Sequence, residues 1–311
     1  MSYTREVRES LARGIPEKAC CARAELIALL RCAGSVGFMG AGRYSVEIDL
    51  EGEKLALHAE SVALRHFEVR ASLITASSAR LGGLTKHRLA YEGGDAVELL
   101  KAISYLDEGS PFGVRSTPPS DALRRECCRR SYLRGAFIGS GSVSEPAKAY
   151  GIEFSLPDGR EAERVAAILG RGEMRANIVA RKGRAVVYVK DGEMVIKALN
   201  MMGAHKAALD ITNERILKGF NNSVNRQVNC DAQNVERSLN AAREQAAAIK
   251  LIDRQRGLRS LPKSLREMAA LRLGDEAATL EELGAMSEPP ISKSGANNRM
   301  RRLMRLADEL R

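Results

Sequence analysis

Residues 20–36 read CCARAELIALLRCAGSV, and residues 127–143 read CCRRSYLRGAFIGSGSV. Aligned without a gap, the two stretches share the paired cysteines, one arginine, one leucine and the closing Gly-Ser-Val. After a slip of one residue the likeness resumes, because YSVEIDL at 44–50 falls on YGIEFSL at 150–156. Two copies indicate a duplicated unit rather than a solenoid, which needs several copies to bury its core.

Each copy combines helix and sheet. The helices at 23–33 and 130–139 end in Gly-Ser, a common helix stop, and an alternating strand follows each of them, at 44–50 and 150–156. The remaining elements that we expect in the first copy are a strand at 53–60, a helix at 61–75, strands near 73–80 and 86–92, and a helix at 95–106. In the second copy we expect helices at 158–170 and 191–202 around a hairpin of strands at 174–181 and 184–190.

Small residues recur on one face of both repeat helices. Ala28 and Cys32 are four residues apart, as are Gly135 and Gly139, and residues at i and i+4 share a helix face. Glycine inside a helix costs stability, so its presence needs a reason. We predict that the two helices approach each other closely across a pseudo-twofold axis.

The chain divides into four predicted parts: a first repeat at 1–110, a second repeat at 111–228, a connecting helix at 229–258 and a helix-turn-helix domain at 259–311. Pro111 and the STPPS stretch at 116–120 mark the junction between the repeats, because successive prolines discourage helix. Residues 220–234, FNNSVNRQVNCDAQN, are typical of a boundary, with Asp231 as the expected cap of the connecting helix. The predicted class is α+β, followed by an all-α domain.

The composition favours a globular protein with an anionic partner. The 311 residues are 44% hydrophobic, and the formal net charge is +10 with a sequence pI near 9.5. Such a balance favours nucleic acid as a partner. The charged start, MSYTREVRESLARG, is unlike a secretory signal, and no run approaches the ~18 apolar residues of a membrane span. We therefore expect a cytoplasmic protein without a membrane partner.

The six cysteines do not have the spacing of a zinc site. None belongs to a CxxC motif, and the chain has only four histidines. Adjacent cysteines do not easily share one tetrahedral metal, so we expect neither a metal site nor a cofactor. The cysteines are interpreted as small, partly apolar residues in a reducing cytosol.

The last fifty residues predict three short helices. A helix begins near Pro262, a second runs from Thr279 to Gly284, and a turn at 287–291 precedes a final helix capped by Ser292 or Ser294. The apolar residues of the final helix recur at steps of four and three, which predicts one buried stripe: Ala296, Met300, Leu303, Ala307 and Leu310.

Polar and basic residues occupy the rest of the final helix. The predicted DNA-binding residues are Ser292, Lys293, Ser294, Asn297, Asn298, Arg299, Arg301, Arg302 and Arg305. The second helix of a helix-turn-helix enters the major groove of double-stranded DNA, where asparagine reads adenine and arginine reads guanine. Lysine and arginine also neutralise phosphates. The alternative is a solvated face of an ordinary bundle helix.

The repeat helix, of pattern L-x-G-x-x-x-G-x-G-S, together with the sheet that follows it resembles the LAGLIDADG homing endonucleases. In that family the penultimate residue of each motif is an aspartate that holds a divalent metal. Here these positions are Ala33 and Ser140, and neither side chain supplies the charged oxygen that metal-assisted cleavage needs. We therefore expect the scaffold without the nuclease. The enzyme alternative requires displaced acids, Asp49 or Glu145.

Four segments, in order, resemble the WhiA family of bacterial regulators: CCARAELIALLRCAGS, YLRGAFIGSGSVSEPAKAYGIEF, NRQVNCDAQN and ISKSGANNRMRRLMRLADEL. The resemblance implies a degenerate LAGLIDADG domain joined to a helix-turn-helix similar to region 4 of sigma factors. It implies transcriptional control of cell division, chromosome segregation and, in some lineages, sporulation. A nucleoid-associated protein with a sigma factor or RNA polymerase as partner is expected. The remaining alternative is a module whose repeat domain binds a protein or a small ligand.

Overall fold

A computed structural model describes residues 2–77, 85–107, 109, 110, 112–119 and 121–311. The chain forms two compact units, Met1–Leu217 and Lys218–Arg311. Part of the strand expected near 73–80 and two residues of the expected junction, Pro111 and Ser120, lie outside the described residues.

The first unit contains the same series of elements twice. Its first half consists of α1 (Tyr3–Leu11), α2 (Ala19–Ala33), β1 (Gly34–Phe38), β2 (Tyr44–Leu50), α3 (Glu53–Phe67), β3 (Ser72–Ser77), β4 (Thr85–Glu92) and α4 (Gly93–Ala102). Its second half consists of α5 (Glu126–Ser140), β5 (Gly141–Val143), β6 (Ile152–Leu156), α6 (Gly159–Arg171), β7 (Asn177–Arg181), β8 (Arg184–Val189) and α7 (Gly192–Met202).

The two sheets have the same antiparallel topology. Their strand orders are β1-β2-β4-β3 and β5-β6-β8-β7. Alternation along each central strand decides which face is buried: Val46 and Ile48 of β2 point into the core, as do Ile152 and Phe154 of β6. The matched order confirms the duplication that the sequence predicts.

The strand predicted at 53–60 is wrong, because these residues begin helix α3. The alternation of EKLALHAE imitates a strand over eight residues, but the residues that are buried, Leu55, Ala59 and Val62, follow helical spacing. Leucine, alanine, glutamate and lysine are also strong helix formers. The expected helix at 61–75 is the second half of α3, and it ends at Phe67.

The repeat helices α2 and α5 lie side by side and run in the same direction. A Cβ atom added at Gly135 would lie 2.5 Å from the carbonyl oxygen of Glu25, and one at Gly139 would lie 3.4 Å from the Cβ of Cys32. Ala28 is similarly close, 3.1 Å from the Cβ position of Gly135. The predicted close approach of the two helices is confirmed, and only glycine permits it at 135.

Helix α1 connects the two halves of the first unit. The Nε of Arg8 donates a hydrogen bond of 2.8 Å to the carbonyl oxygen of Gly141, and its Nη1 lies 3.0 Å from Glu51. Thr4 exchanges two hydrogen bonds with the backbone of Val143, at 2.9 and 3.0 Å. Arg8 is buried, and burial lowers the pKa of its guanidinium. One helix thus holds backbone of the second repeat and a carboxylate of the first.

Helix α8 (His205–Arg256) begins in the first unit and continues into the second without interruption. The cap expected at Asp231 is therefore wrong, because Asp231 lies inside this helix, while the boundary expected at 220–234 stays a prediction. Residues 220–234 are polar but contain neither proline nor glycine, and Gln227 donates to Asp231 one turn ahead at 3.1 Å. The stretch is a solvent-exposed helix, since polarity alone does not break one.

The second unit is all-helical. After α8 come a short 3-10 helix (Leu258–Ser260), α9 (Lys263–Gly274), α10 (Leu280–Ala285) and α11 (Lys293–Asp308). These helices share one core, which includes Ile249, Ile252, Leu265, Met268, Leu283, Met300 and Leu303. The three predicted C-terminal helices are confirmed.

Candidate nucleic-acid interface

The turn between α10 and α11 is held tightly. Thr279 and Glu282 form a reciprocal capping box at the start of α10, with the backbone N–H of Thr279 donating to Glu282 Oε2 at 2.7 Å. Gly284 lies inside the last turn of α10 rather than beyond its end, and an added Cβ there would lie 2.6 Å from the carbonyl oxygen of Ile291. The backbone N–H of Ile291 donates back to Gly284 at 2.9 Å. The glycine therefore allows the turn to fold directly onto α10.

Helix α11 is fixed by its start and by its buried face. Ser292 is the N-cap, and its hydroxyl accepts a hydrogen bond of 3.2 Å from the backbone N–H of Gly295. The buried residues are Ala296, Met300, Leu303 and Ala307, which are four of the five residues of the predicted stripe. Leu310 follows the end of the helix and is partly buried against the same core.

The opposite face of α11 is exposed and basic. At 100° per residue, Ser294, Asn298, Arg301 and Arg305 lie within one stripe turned away from the buried face. We call these four residues the exposed stripe. Arg302 is exposed beside it, and Lys293 is exposed at the first helical position, 3.7 Å from Glu281.

Two of the predicted DNA-binding residues lie elsewhere. Arg299 is directed towards α9, where its Nη1 lies 3.2 Å from Glu267 Oε2 and both side chains are about three-quarters buried. Glu267 also accepts a hydrogen bond of 2.6 Å from the backbone N–H of Glu288. Arg299 therefore supports the turn. Asn297 is half-buried at the side of the helix.

The C-terminal ends of the repeat helices carry no carboxylate at the two positions that the nuclease motif specifies. Ala33 and Ser140 are the last residues of α2 and α5. The hydroxyl of Ser140 donates to the carbonyl oxygen of Ala136 at 3.0 Å. Next to them, burial raises the pKa of the Cys32 thiol to about 12. These three side chains are therefore uncharged at neutral pH.

The displaced acids considered as an alternative are engaged in ion pairs. Asp49 of β2 accepts from Arg88 at 2.7 and 3.0 Å, and these hydrogen bonds hold the pKa of Asp49 below its usual value. Glu145 lies 2.6 Å from Lys148 on the surface after β5. Neither acid is at the end of a repeat helix.

Arginines on the described strands of both sheets contact acidic or carbonyl oxygens. Arg88 also lies 3.0 Å from Glu47, and Arg181 lies 3.5 Å from Glu153 of the second sheet. Arg184 donates to the carbonyl oxygen of Ser155 at 2.8 Å. These three arginines of the described strands already have protein partners.

The structure brings together four cysteines that the sequence analysis considered separately. Cys20, Cys21, Cys127 and Cys128 have their sulfur atoms within 4.8 Å of one another, and the sulfurs of Cys127 and Cys128 are 4.0 Å apart. The sequence analysis found no metal-site spacing in these cysteines, because it considered each adjacent pair alone, whereas the fold brings both pairs together. The repeat alignment, combined with the predicted pairing of α2 and α5, contained the signal for this cluster.

Within the described ranges, no helix combines the length and the apolar character that crossing a bilayer requires.

Comparison with known proteins identifies each part of the chain. Family models for the WhiA N-terminal LAGLIDADG-like domain, the WhiA LAGLIDADG-like domain and the WhiA C-terminal HTH domain match residues 19–104, 129–221 and 224–307. A probable cell division protein WhiA of Alkaliphilus metalliredigens is 36% identical, over 100% of this chain and 99% of its own. Another from Heliobacterium modesticaldum is 37% identical, over 99% of this chain and 96% of its own.

Solved structures show the same fold. The crystal structure of full-length WhiA from Thermatoga maritima has a TM-score of 0.63 at 19% identity and covers 99% of both chains. That of an N-terminal LAGLIDADG domain of WhiA has a TM-score of 0.51 at 15% identity, over 65% of this chain and 90% of the other. The predicted class, a duplicated LAGLIDADG-like α+β domain followed by a helix-turn-helix domain, is confirmed, and the chain belongs to the WhiA family.

Proposed function

We propose that this protein is a DNA-binding transcriptional regulator and that α11 is its recognition helix. The observation that carries the proposal is the exposed stripe of Ser294, Asn298, Arg301 and Arg305, opposite the buried face of a capped helix behind a tight turn. A recognition helix presents its first turns to base edges in the major groove and its later basic residues to the groove and backbone. We assign the first role to Asn298 and the second to Arg305.

The start of α11 is suited to a phosphate. Its first backbone N–H groups and the helix dipole favour negative charge. Ser292, Lys293 and Ser294 are exposed around this end. A phosphate contact there would fix the register of the helix, which base contacts then read. We omit Arg299 from the contact set, because Glu267 already holds it.

We assign the repeat unit a positioning or partner-binding role rather than sequence recognition. The ion pairs of Arg88 and Arg181 support this division, since both arginines would have to leave carboxylates to bind phosphates. A sigma factor or RNA polymerase is the expected protein partner of the regulator.

The DNA-binding test separates base contacts from phosphate contacts. Chromatin immunoprecipitation with sequencing supplies genomic targets, and full-length variants are then titrated at several salt concentrations. We expect Asn298→Ala to reduce discrimination between target and non-target DNA by about 1–3 kcal/mol, the effect of losing a bidentate base contact. Arg305→Ala should weaken binding to all sequences and lower the salt slope by about one.

Arg243→Ala provides the matched control, because Arg243 is an exposed arginine on α8 in the same unit. Its affinity and salt slope should be close to those of the unmodified protein. If an Asn297→Ala, Asn298→Ala double variant kept its full selectivity, recognition by α11 would be contradicted. The LAGLIDADG-like sheets would then be the next surface to test.

We also propose that the protein has no endonuclease activity. Ala33 and Ser140 support this, because neither offers the hard oxygen ligand that a cleaving magnesium or manganese ion requires. Plasmid incubated with the purified protein and either ion should stay supercoiled. Metal-dependent nicking that increases with protein concentration and survives further purification would contradict the proposal.

The biological setting follows from the relatives, which are named probable cell division proteins. We propose that the regulator acts on genes of division and chromosome segregation and, where the host sporulates, of sporulation. This role places it on the nucleoid in the cytoplasm. The genomic targets from immunoprecipitation provide the test, since an enrichment without division or segregation genes would contradict it.

A further inference from the structure

The four clustered cysteines occupy equivalent places in the two repeats. Cys20 and Cys21 are the second and third residues of α2, and Cys127 and Cys128 are the second and third residues of α5. Because α2 and α5 run side by side in the same direction, their first turns meet, and all four sulfurs converge within 4.8 Å. Within the described residues, this is the one group of three or more cysteine, histidine or acidic side chains with such geometry.

The spacing of the sulfurs fits a single tetrahedral ion. A zinc–sulfur bond is about 2.3 Å, which gives sulfur–sulfur distances of about 3.8 Å in a regular tetrahedron. The sulfurs of Cys127 and Cys128 are already 4.0 Å apart. Small rotations about the side-chain bonds would therefore complete the ligand shell. The group is too compact to enclose a cluster of iron and sulfide, whose sulfur ligands lie further apart.

Positive groups lie around the cluster. Two helix N-termini point their positive ends at the cluster, a setting that stabilises thiolates. The Nη1 of Arg125 lies 3.9 Å from the Cys20 sulfur.

We propose that Cys20, Cys21, Cys127 and Cys128 form a tetrathiolate site for one Zn²⁺ ion, which ties the first turns of the two repeat helices together. Four thiolates leave no position for water, so the site is structural rather than catalytic. Soft sulfur ligands in tetrahedral arrangement select zinc over magnesium or calcium. Binding forms four zinc–sulfur bonds, releases the thiol protons to solvent and changes no oxidation state.

The ion has a route to the site. Cys20 and Cys127 are partly exposed, whereas Cys21 and Cys128 are buried. A solvent-open cavity borders Cys20 and Cys128 and is lined by basic side chains, including Arg124 and Arg125. These cations also offset the net negative charge of a zinc tetrathiolate, which a neutral environment would not do.

The experiment uses the full-length chain, purified under reducing conditions and stripped of metal. Zn²⁺ is titrated against a chromogenic chelator, and Co²⁺ is added separately as a spectroscopic substitute. We expect one ion per chain, an intense sulfur-to-cobalt charge-transfer band with tetrahedral ligand-field bands, and a melting temperature that rises on zinc binding.

Cys20→Ser and Cys127→Ser change the two half-exposed ligands and should abolish stoichiometric binding, the cobalt spectrum and the zinc-dependent rise in melting temperature. Cys230→Ser is the matched control, because Cys230 is an exposed cysteine on α8, outside the cluster. It should bind zinc like the unmodified chain. Circular dichroism checks that each variant is folded.

Three results would overturn the proposal. The reduced, unmodified chain could bind no zinc or cobalt. The two cluster variants could bind zinc as the control does. The chain as isolated could contain iron and sulfide, or a disulfide between cluster cysteines that persists in reductant. The cobalt spectrum of the unmodified chain decides the first case even if a variant fails to fold.

Discussion

At Gly135 the absence of a single side-chain atom allows two helices to meet. The nearest atom to an added Cβ is the backbone oxygen of Glu25, which cannot rotate away as a side chain could. At Gly139 the neighbours are the Cβ atoms of Ala33 and Cys32, at 3.3 and 3.4 Å. Small residues on both helices therefore determine how closely α2 and α5 pack.

We expect Gly135→Ala and Gly139→Leu each to lower the free energy of unfolding by about 1–3 kcal/mol, because both overpack this seam. Urea titration of the full-length variants measures the change. Gly170→Ala is the control: Gly170 lies in α6, is exposed, and an added Cβ there meets nothing within 4 Å. Alanine should be neutral or slightly stabilising at that site. Equal midpoints for all three variants would mean that the seam tolerates expansion.

At the scale of the element, caps and turn geometry set where the C-terminal helices begin. Ser292 begins α11 and so decides which residues enter its first turn. Thr279 and Glu282 do the same for α10, which has only six residues and little propensity to form alone. The position of the exposed stripe thus depends on hydrogen bonds made outside it.

We expect Thr279→Ala to lower the stability of the second unit by about 1 kcal/mol, the usual effect of losing an N-cap. Glu281→Ala, at the neighbouring exposed position without a capping bond, is the control. Thermal unfolding followed by circular dichroism measures the difference. A Thr279→Ala curve that superimposes on that of the control would show that the capping box does not stabilise α10.

The capping box of Thr279 and Glu282 also makes the stability of the second unit depend on pH. Hydrogen bonds from the backbone and then the side chain of Thr279 lower the pKa of Glu282. A carboxylate whose folded pKa is depressed contributes stability above its unfolded pKa, and this contribution is lost as the pH falls through the folded value. Glu282→Gln should therefore reduce the loss of stability on acidification. If stability measured against pH fell as steeply in this variant as in the unmodified protein, the prediction would be contradicted.

The sequence predicted elements well where a single hydrophobic periodicity, either helical or alternating, dominated the segment. Helix α6, the β7–β8 hairpin and the four-residue steps of α11 all have a single clear alternation or stripe. The strand expected at 53–60 was wrong because leucine and alanine alternate over a window shorter than three helical turns. In the candidate interface, the ion pair of Arg299 with Glu267 joins residues 32 positions apart, a contact that no local pattern encodes.

At the scale of the whole first unit, long-range polar contacts join the repeats. Buried Glu25 of α2 accepts a hydrogen bond of 2.9 Å from Arg134 of α5, across the repeats, and lies 2.6 Å from His58 within its own repeat. Arg31 of α2 reaches Glu161 of α6 at 3.3 Å. The duplication was visible in the sequence, but these cross-repeat pairs were not, because their partners break the repeat alignment. The two halves should therefore unfold together.

We expect Arg8→Met to destabilise the first unit by about 1–3 kcal/mol, because it leaves the buried carbonyl oxygen of Gly141 without its donor. Arg5→Met is the control, since Arg5 is exposed on the same helix and its partner Glu9 keeps a second ion pair with Lys54. Urea unfolding with probes in both halves should give coincident transitions. If Arg8→Met behaved like Arg5→Met, α1 would not hold the repeats together.

The contacts of α1 also determine when this helix can complete its folding during synthesis. Arg8 of α1 is synthesised well before its partner, because the oxygen that it binds belongs to a residue 133 positions later. At about 5–20 residues per second, the growing chain needs on the order of ten seconds to supply that partner. Val7 and Leu11 are buried in the folded unit, and they lack their final packing during this interval. Helix α1 therefore reaches its final place well after it is made, and a stall between the repeats would leave Arg8 without its partner.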